Sequence, residues 1–501
     1  MADSDSGEIL PNPDTQSSTG QTSFDPVVLR QRLVNYLVGE GAIRSPLLAK
    51  AFSEVPREIF LPASVPIQRV YSDDAIVVKW DENNSPSSSS SQPILMADML
   101  EALRLEPGLR VLEIGAGVGY NAALMAHWVG DGSLVTTVDL DPAMVEVARA
   151  NLQELARLTG KNFDRVKVEA ADGSAGYPPD APYDRIIVTV QQWEIAPAWV
   201  EQLRVGGILL LPLTISSHLW GGLIPALQKL PDGTLVGVGG SFGGFMHMRG
   251  KMAHPSHTPG RFAMLPFGSS RVWSEFDAFP NIAESQLLLS NSEILPDLER
   301  FLEQSDVVAF GPEGSLELDF PSDTSSISPE SRVQREVSYA FYGFSFVLVL
   351  AAQDRLFSLV QATPVPSSEV SQTIDTNGRV RDGWQYDTRG LALVEKSADA
   401  AGYDLALLLS PDASNRWQNK LIQGWRIRTT EATNLLPPQT PNQAVVKLQE
   451  AWQTWQKMGR PTPVRYRPVA YPADRLPPVP GYVLPRQFYN LVLPFQTSSN
   501  G

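Results

Sequence analysis

The sequence predicts an α/β fold, with a parallel sheet wound by helices in the first half of the chain. Three observations predict it. Apolar runs of strand length alternate with amphipathic helical stretches from about residue 105 to 215. The first run, VLEI, passes into a glycine-rich turn, GAGVGY, that opens a helix near Tyr120. The second, LVTTVD, ends in an acid, Asp139.

The elements follow in order. PVVLRQRLVNYLVGEG carries Val28, Leu33 and Leu37 at helical spacing, and Gly39 and Gly41 supply a stop. SPLLAKAFSEV begins a second helix, with Ser45 as N-cap and Pro46 at the first helical position. YSDDAIVVKW reads as a short strand, and the serines up to Ser91 read as a loop running into the helix ILMADMLEALRL. Strands GLRVLEI, SLVTTVD, VKVEAAD, YDRIIVTV and GGILLLPL then alternate with helices YNAALMAHWV, PAMVEVARANLQELARL (capped by Asp141) and PAWVEQL. LIPALQKLPDGTLVGVGG reads as an edge hairpin turning at Asp232-Gly233.

Beyond Arg249 the pattern changes to mixed strands (VVAFG, SLELDF, FSFVLVLAA, LALLLS) with a helix near NSEILPDLERFLEQ. NQAVVKLQEAWQTWQKMG is an amphipathic helix, with Trp452 and Trp455 read as packing residues, and a proline-rich end follows. The boundaries expected are a disordered tail over 1–25, the α/β domain over 26–265, an additional α+β region over 266–425, and a helix with a proline-rich segment over 426–501.

A chain of 501 residues is too long for one ordinary core. No apolar run approaches the roughly 20 residues needed to span a bilayer, and the acidic, polar N-terminus lacks the features of a secretory signal. With no cysteine, thiolate catalysis and Cys-ligated metal are excluded, and a cytoplasmic location is expected. A net charge of −15 argues against nucleic acid as substrate. His247, His254 and His257 lie close together in MHMRGKMAHPSH, but no acidic motif accompanies them, so no metal site is expected.

The glycine turn is where chemistry is expected. Glycines 115, 117 and 119 let the backbone approach a ligand closely, and Asp139 can accept hydrogen bonds from ribose hydroxyls. A dinucleotide site would show G-x-G-x-x-G, with a helix N-terminus cradling a pyrophosphate. Here the spacing is G-x-G-x-G, with Glu113 before it. An acid at that place repels a pyrophosphate and suits a cationic ligand such as S-adenosylmethionine. Ser91, at the start of a helix, can present its hydroxyl and free backbone amides to an anion.

Six segments, EVPREIFLP, YSDDA, SSQP, VLEIGAGVGYNAALMA, ADGSAGYPPDAPYDRIIVT and QLRVGGILLLPL, resemble the protein-L-isoaspartate O-methyltransferase family in its own order, across roughly residues 30–215. The resemblance implies a Rossmann-like S-adenosylmethionine-dependent methyltransferase fold, and methyl transfer to a carboxylate of a protein or peptide. It implies roles for individual residues too. Ser91 matches the hydroxyl at the acceptor carboxylate and Asp73 the acid of the Tyr-x-Asp segment; Gln92, Gln192 and Trp193 are expected beside them as substrate contacts. Glu113, Gly115, Gly117 and Gly119 match the methionine-binding turn, Asp139 the ribose acid, and Asp172 with Gly173 the loop beside the adenine.

Two features depart from the short repair enzymes. VQQWEIAPAW puts a bulky Trp193 where they have a small strand end, and the serine-rich approach to SQP and the later GGFMHMRG differ as well. With the long C-terminal region, these resemble FxLD-type methyltransferases that tailor ribosomally made peptides. A scaffold that binds without catalysing is the reading from another class. Residues 266–501 are expected to recognise the substrate or to form a homo-oligomer contact.

Overall fold

The computed structural model describes residues 25–81, 86–215, 222–253, 441–460, 462, 465–475 and 481–494. Between 261 and 429 it describes the strands given below and a few short stretches beside them. The expected N-terminal tail, apart from Asp25, and the helix expected over 292–304 lie outside the described residues.

Local signals set most helix starts. In α1 (Pro26–Gly39) Asp25 accepts the Val27 amide, with proline in the first turn. α2 (Pro46–Glu54) also begins with proline, but the Ser45 hydroxyl makes no capping bond. Instead Glu101 takes the amides of Arg44 and Ser45, at 2.8 and 2.6 Å. The short helix α3 (Ile67–Val70) precedes β1 (Ile76–Trp80). The serine run is a strand and not a loop. β2 (Pro86–Ser90) pairs antiparallel with β1, setting Ile76 opposite Ser90 and Val77 opposite Ser89. α4 (Pro93–Leu103) follows at once.

The α/β body then alternates as expected through β3 (Val111–Ile114), α5 (Tyr120–Val129), β4 (Val135–Asp139), α6 (Pro142–Thr159), β5 (Lys167–Ala170), β6 (Tyr183–Val188), α7 (Pro197–Gln202) and β7 (Leu203–Leu210). β8 (Gly222–Lys229) and β9 (Leu235–Gly243) are antiparallel. Their turn holds Gly233 at φ 84°, and Leu230 and Thr234 close it with a 2.8 Å bond. β5, β4, β3, β6 and β7 are mutually parallel, in that order.

Alternate residues along each strand enter opposite cores, as a two-residue period requires. Leu112, Ile114, Ile186, Val188 and Leu209 pack on the face that carries α7. Val111, Ile187, Ile208 and Leu210 pack on the face that carries α1, α2, α4, α5 and α6.

The sheet does not end at β9. β19 (Val469–Pro472) pairs with β9, and β21 (Tyr489–Pro494) and β20 (Gly481–Leu484) extend it further, giving ten strands in the order β20-β21-β19-β9-β8-β7-β6-β3-β4-β5. The proline-rich end expected to stand apart from the α/β domain therefore completes its sheet. Among its described residues, Pro468, Pro472, Pro485 and Pro494 fall at or beside strand ends, where a missing N–H interrupts no ladder.

A second, antiparallel sheet holds β10 (Arg261–Met264), β11 (Gln286–Asn291), β12 (Val307–Phe310), β13 (Ser315–Leu316), β14 (Leu356–Pro364), β15 (Arg379–Arg381), β16 (Trp384–Lys396), β17 (Gly402–Leu409) and β18 (Ile422–Thr429). Helix α8 (Gln443–Lys457) is capped by Asn442, and Asp404 on β17 accepts the Gln443 amide at 2.8 Å. FSFVLVLAA is helical where it is described, not a strand: Ala352 N–H donates to the Leu348 carbonyl at 3.0 Å. Its Phe344 packs edge-on to Trp452, with ring centroids 5.0 Å apart, and Trp452 and Trp455 are buried in the core of α8.

Candidate active site

The glycine turn links β3 to α5 at the carboxyl end of the parallel sheet, where open α/β sheets bind ligands. Gly115, Gly117 and Gly119 have φ of 102°, 50° and 89°. Gly115 N–H and Ala116 N–H both donate to the Val138 carbonyl on β4, at 2.8 and 3.1 Å. A Cβ on Gly115 would collide with Thr189 Oγ1, and one on Gly119 would lie 3.2 Å from Ala148 Cβ in α6. At Gly117 the nearest atoms to such a Cβ are on β2, the Ser89 carbonyl at 3.7 Å and Ser88 Oγ at 3.8 Å. The serine strand thus lies against the turn, two residues before Ser91.

Asp139 braces the same turn. One oxygen accepts the Gly117 amide and the other the Asp141 amide, both at 3.0 Å. Asp141 caps α6 and forms an ion pair with Lys79 of β1, which ties the hairpin to the tip of β4.

Glu113 does not face a ligand directly. It is 0% exposed, with one oxygen on Asn121 Nδ2 and the other on Thr137 Oγ1, each at 2.7 Å. Burial pushes its carboxyl up to about 7; the two hydrogen bonds oppose this and Asp139 adds to it. The acid expected to meet a cation therefore acts on it from beneath the turn, through space.

Asp172 accepts the backbone and hydroxyl of Ser174 and the Lys251 amide, while Gly173 O accepts Trp199 Nε1 at 2.7 Å. Burial pushes Asp172 up, but these bonds outweigh it and hold the carboxyl below its ordinary value. The MHMRG segment, noted in the sequence only as a departure, brackets this loop. Met246 and Met248 bond the Gln191 backbone at 2.8 and 3.0 Å, and Gly250 sits beside the Asp172 carboxylate.

On the acceptor side Asp73 accepts the Ile94 amide at 2.8 Å and Gln92 Nε2 at 3.0 Å. Gln92 is the N-cap position of α4, and its side chain makes no capping bond. The helix N-terminus expected to offer free amides to an anion has proline at its first position, and its Ile94 amide is bound to Asp73. What remains is the Ser91 hydroxyl, half-buried and without a hydrogen-bond partner among the described residues.

Sequence reasoning missed Arg57, fully buried between Asp73 and Ser91. Its guanidinium donates to the carbonyls of Val70, Ser72, Asp74 and Ser91 and to Ser90 Oγ. The only signal for it lay in EVPREIFLP, a segment quoted for its resemblance without a role for the arginine.

Trp193 and Gln192, expected as substrate contacts, make contacts within the protein. The Arg486 guanidinium carbon lies 5.2 Å from the centre of the Trp193 ring, and Arg486 also donates to the Thr214 carbonyl at 2.9 Å. Trp193, with Ile195, Leu213, Tyr489 and Leu491, is thus turned towards the C-terminal strands. Gln192 is 1% exposed, with its amide nitrogen on the Val190 carbonyl and its backbone bonded to Pro212 and Thr214. Gln192 is thus engaged by neighbouring backbone, and the partly buried Trp193 ring by Arg486.

Residues 29–220 match the family described as protein-L-isoaspartate(D-aspartate) O-methyltransferase. The chain is 41% identical over 187 residues to the protein-L-isoaspartate O-methyltransferase of Thermotoga maritima, a match over 37% of this chain and 56% of that relative's length. It is 38% identical over 207 residues to the enzyme of the same name from Ignicoccus hospitalis, covering 41% of this chain and 91% of that one. A solved structure titled protein-L-isoaspartate O-methyltransferase aligns with 88% of this chain and 96% of its own, at 22% identity and a TM-score of 0.42. With identity of this order spanning nearly the whole Ignicoccus relative, the chain belongs to the protein-L-isoaspartate(D-aspartate) O-methyltransferase family.

Proposed function

We propose that this chain is an S-adenosylmethionine-dependent carboxyl O-methyltransferase that forms a methyl ester on an aspartyl or isoaspartyl residue of a protein or peptide. The observation that carries the reading is the approach of β2 to Gly117, where the Ser89 carbonyl, two residues before Ser91, would lie 3.7 Å from an added Cβ. Donor-binding and acceptor-binding elements then share one crevice.

The residues present fit the cofactor. A cationic amino acid suits a turn backed by Glu113 and Asp139. The Asp139 oxygens, each with one bond from a backbone amide, keep acceptor capacity for ribose hydroxyls. The loop at Asp172 and Gly173, covered by Met248, offers an apolar wall for an adenine. When bound, S-adenosylmethionine supplies a methyl on a sulfonium, which an ionised carboxylate takes as the S–CH3 bond breaks, with no proton to move.

The protein's part is therefore to position and to exclude water. Orientation of two bound reactants is worth roughly 7–11 kcal/mol. Ser91 donates its hydroxyl to one acceptor oxygen and leaves the other to attack, and β2 covers the turn from one side. Asp73 holds the start of α4, so that Ser91 and Gln92 keep their place. No acid or base is needed beyond the acceptor itself.

The experiment is a methyl-transfer assay on an isoaspartyl peptide and its normal aspartyl isomer, with isothermal titration of the cofactor. A base-labile methyl ester on either peptide supports the reading; no heat on titration would sink it.

A further inference from the structure

A buried cation without a contacting counter-ion stands behind the acceptor candidates. Arg57 is 0% exposed, and among the described residues no carboxylate oxygen lies within ion-pair distance of it. Its Nη1 donates to the carbonyls of Val70 and Ser72 at 2.9 and 3.3 Å. Its Nη2 donates to the Asp74 carbonyl at 3.1 Å, Ser90 Oγ at 3.3 Å and the Ser91 carbonyl at 3.0 Å. The Nε–H is buried and has no acceptor among the described residues. The carboxylates of Asp73 and Asp74 act on it only through space.

Two physical consequences follow. One planar fork spans the turn that carries Asp73 and the end of β2 that carries Ser91, so it fixes their separation. A buried guanidinium satisfied mainly by neutral carbonyls also keeps its charge in a low-dielectric setting, offset only through space by Asp73 and Asp74, and such a charge favours an anion nearby. A neutral side-chain amide or a pair of backbone bonds could tie two loops. The charge goes beyond what tying requires.

We propose that Arg57 is a positioning residue of the acceptor site, which holds Ser91 and Asp73 in one frame and makes that frame select a carboxylate over a neutral group. This rests on the reading of Ser91 as the acceptor-side hydroxyl.

The test uses the full chain, saturated with S-adenosylhomocysteine. It compares binding of an isoaspartyl hexapeptide with its twin carrying a carboxamide in place of the acceptor carboxylate. The wild type is expected to bind the carboxylate peptide at least tenfold more tightly. Arg57→Met is expected to bring that ratio within twofold of one, while its affinity for S-adenosylhomocysteine stays within twofold of wild type. Arg57→Lys keeps the charge and loses the fork, so the ratio holds while kcat/KM falls at least tenfold. A wild-type ratio near one, or an unchanged ratio in a folded Arg57→Met protein, overturns the proposal. Should Arg57→Met fail to fold, Arg57→Lys decides alone, and turnover within twofold of wild type counts against it. A wild type that binds neither peptide overturns the acceptor reading itself, which these variants do not address.

Discussion

Asp73 accepts the backbone amide of Ile94 at 2.8 Å, so an acid placed before the β1–β2 hairpin caps the helix that follows it. The bond spans 21 residues and closes the hairpin at its base. Removing a helix cap costs about 1 kcal/mol. Asp73→Ala is therefore expected to lower unfolding stability by about 1 kcal/mol, seen as a lower urea midpoint at unchanged slope. Asp73→Asn keeps an oxygen for Ile94 and should recover most of that loss. If Asp73 only caps, activity will follow stability across the two variants; if it also orders Gln92, Asp73→Asn will stay slow at full stability.

Ser91 gives the opposite pattern. Its hydroxyl bonds no described residue, so Ser91→Ala should leave the melting temperature within about a degree of wild type, as for surface changes that break nothing. Loss of one well-placed donor to an oxyanion commonly costs 100-fold or more, and a ground-state carboxylate should feel somewhat less. Steady-state kinetics on an isoaspartyl peptide are expected to show kcat/KM down about 10- to 100-fold, with cofactor affinity unchanged. Wild-type kinetics in Ser91→Ala would remove the hydroxyl from the acceptor site.

Local chemistry made half of this site legible in the sequence. The glycine turn, Asp139 at a strand tip, Asp141 as a cap and the Asp232-Gly233 hairpin each depend on neighbours a few residues away. Arg57 was not legible because its partners lie 13 to 34 residues downstream, and nothing in EVPREIFLP marks the arginine as buried. β2 was hidden because serine has little strand preference, and only pairing with β1 makes it extended. The Phe344 helix was hidden because a short run of aromatic and aliphatic residues shows no clear helical period. The strands β19–β21 were masked by prolines that a sheet edge tolerates.

Glu113 ties cofactor binding to pH. Its folded value of about 7 lies above the ordinary glutamate value of 4.5, so folding favours its protonated form. The sign is that of a raised carboxyl: stability is lost as pH rises from 4.5 through 7, and the cost, on the order of 3 kcal/mol, is complete above that. A cationic ligand favours the ionised form, so S-adenosylmethionine should bind more tightly at pH 8 than at pH 6. S-adenosylhomocysteine, which lacks the sulfonium, should show a shallower trend. Glu113→Gln should flatten both trends and be at least as stable as wild type at pH 8. Titration calorimetry across that range, showing the same slope in wild type and Glu113→Gln, would assign the pH effect elsewhere.

The C-terminal strands bear on whether the catalytic half can stand alone. β19 pairs with β9 through Val469 and Ala470, and Leu491, Val492 and Leu493 of β21 are buried. Arg486 meets the Trp193 ring and the Thr214 carbonyl, while the Gln487 amide bonds Glu194 at 3.1 Å. The loop after β6, whose Thr189 also bonds the Ile114 and Gly115 carbonyls, is thus held from the far end of the chain. Ending the chain after residue 265 would bare the β9 edge and that apolar face together, an open invitation to aggregation. The truncated chain is expected to run as soluble aggregate on size exclusion and to lack a cooperative melt. Arg486→Ala is the gentler probe, since a partly desolvated cation–π contact is worth about 1–2 kcal/mol, and thermal denaturation should show a loss of that order. A truncation that stays monomeric, melts cooperatively and turns over like the full chain would mean that β9 is a sufficient edge and that these contacts are dispensable.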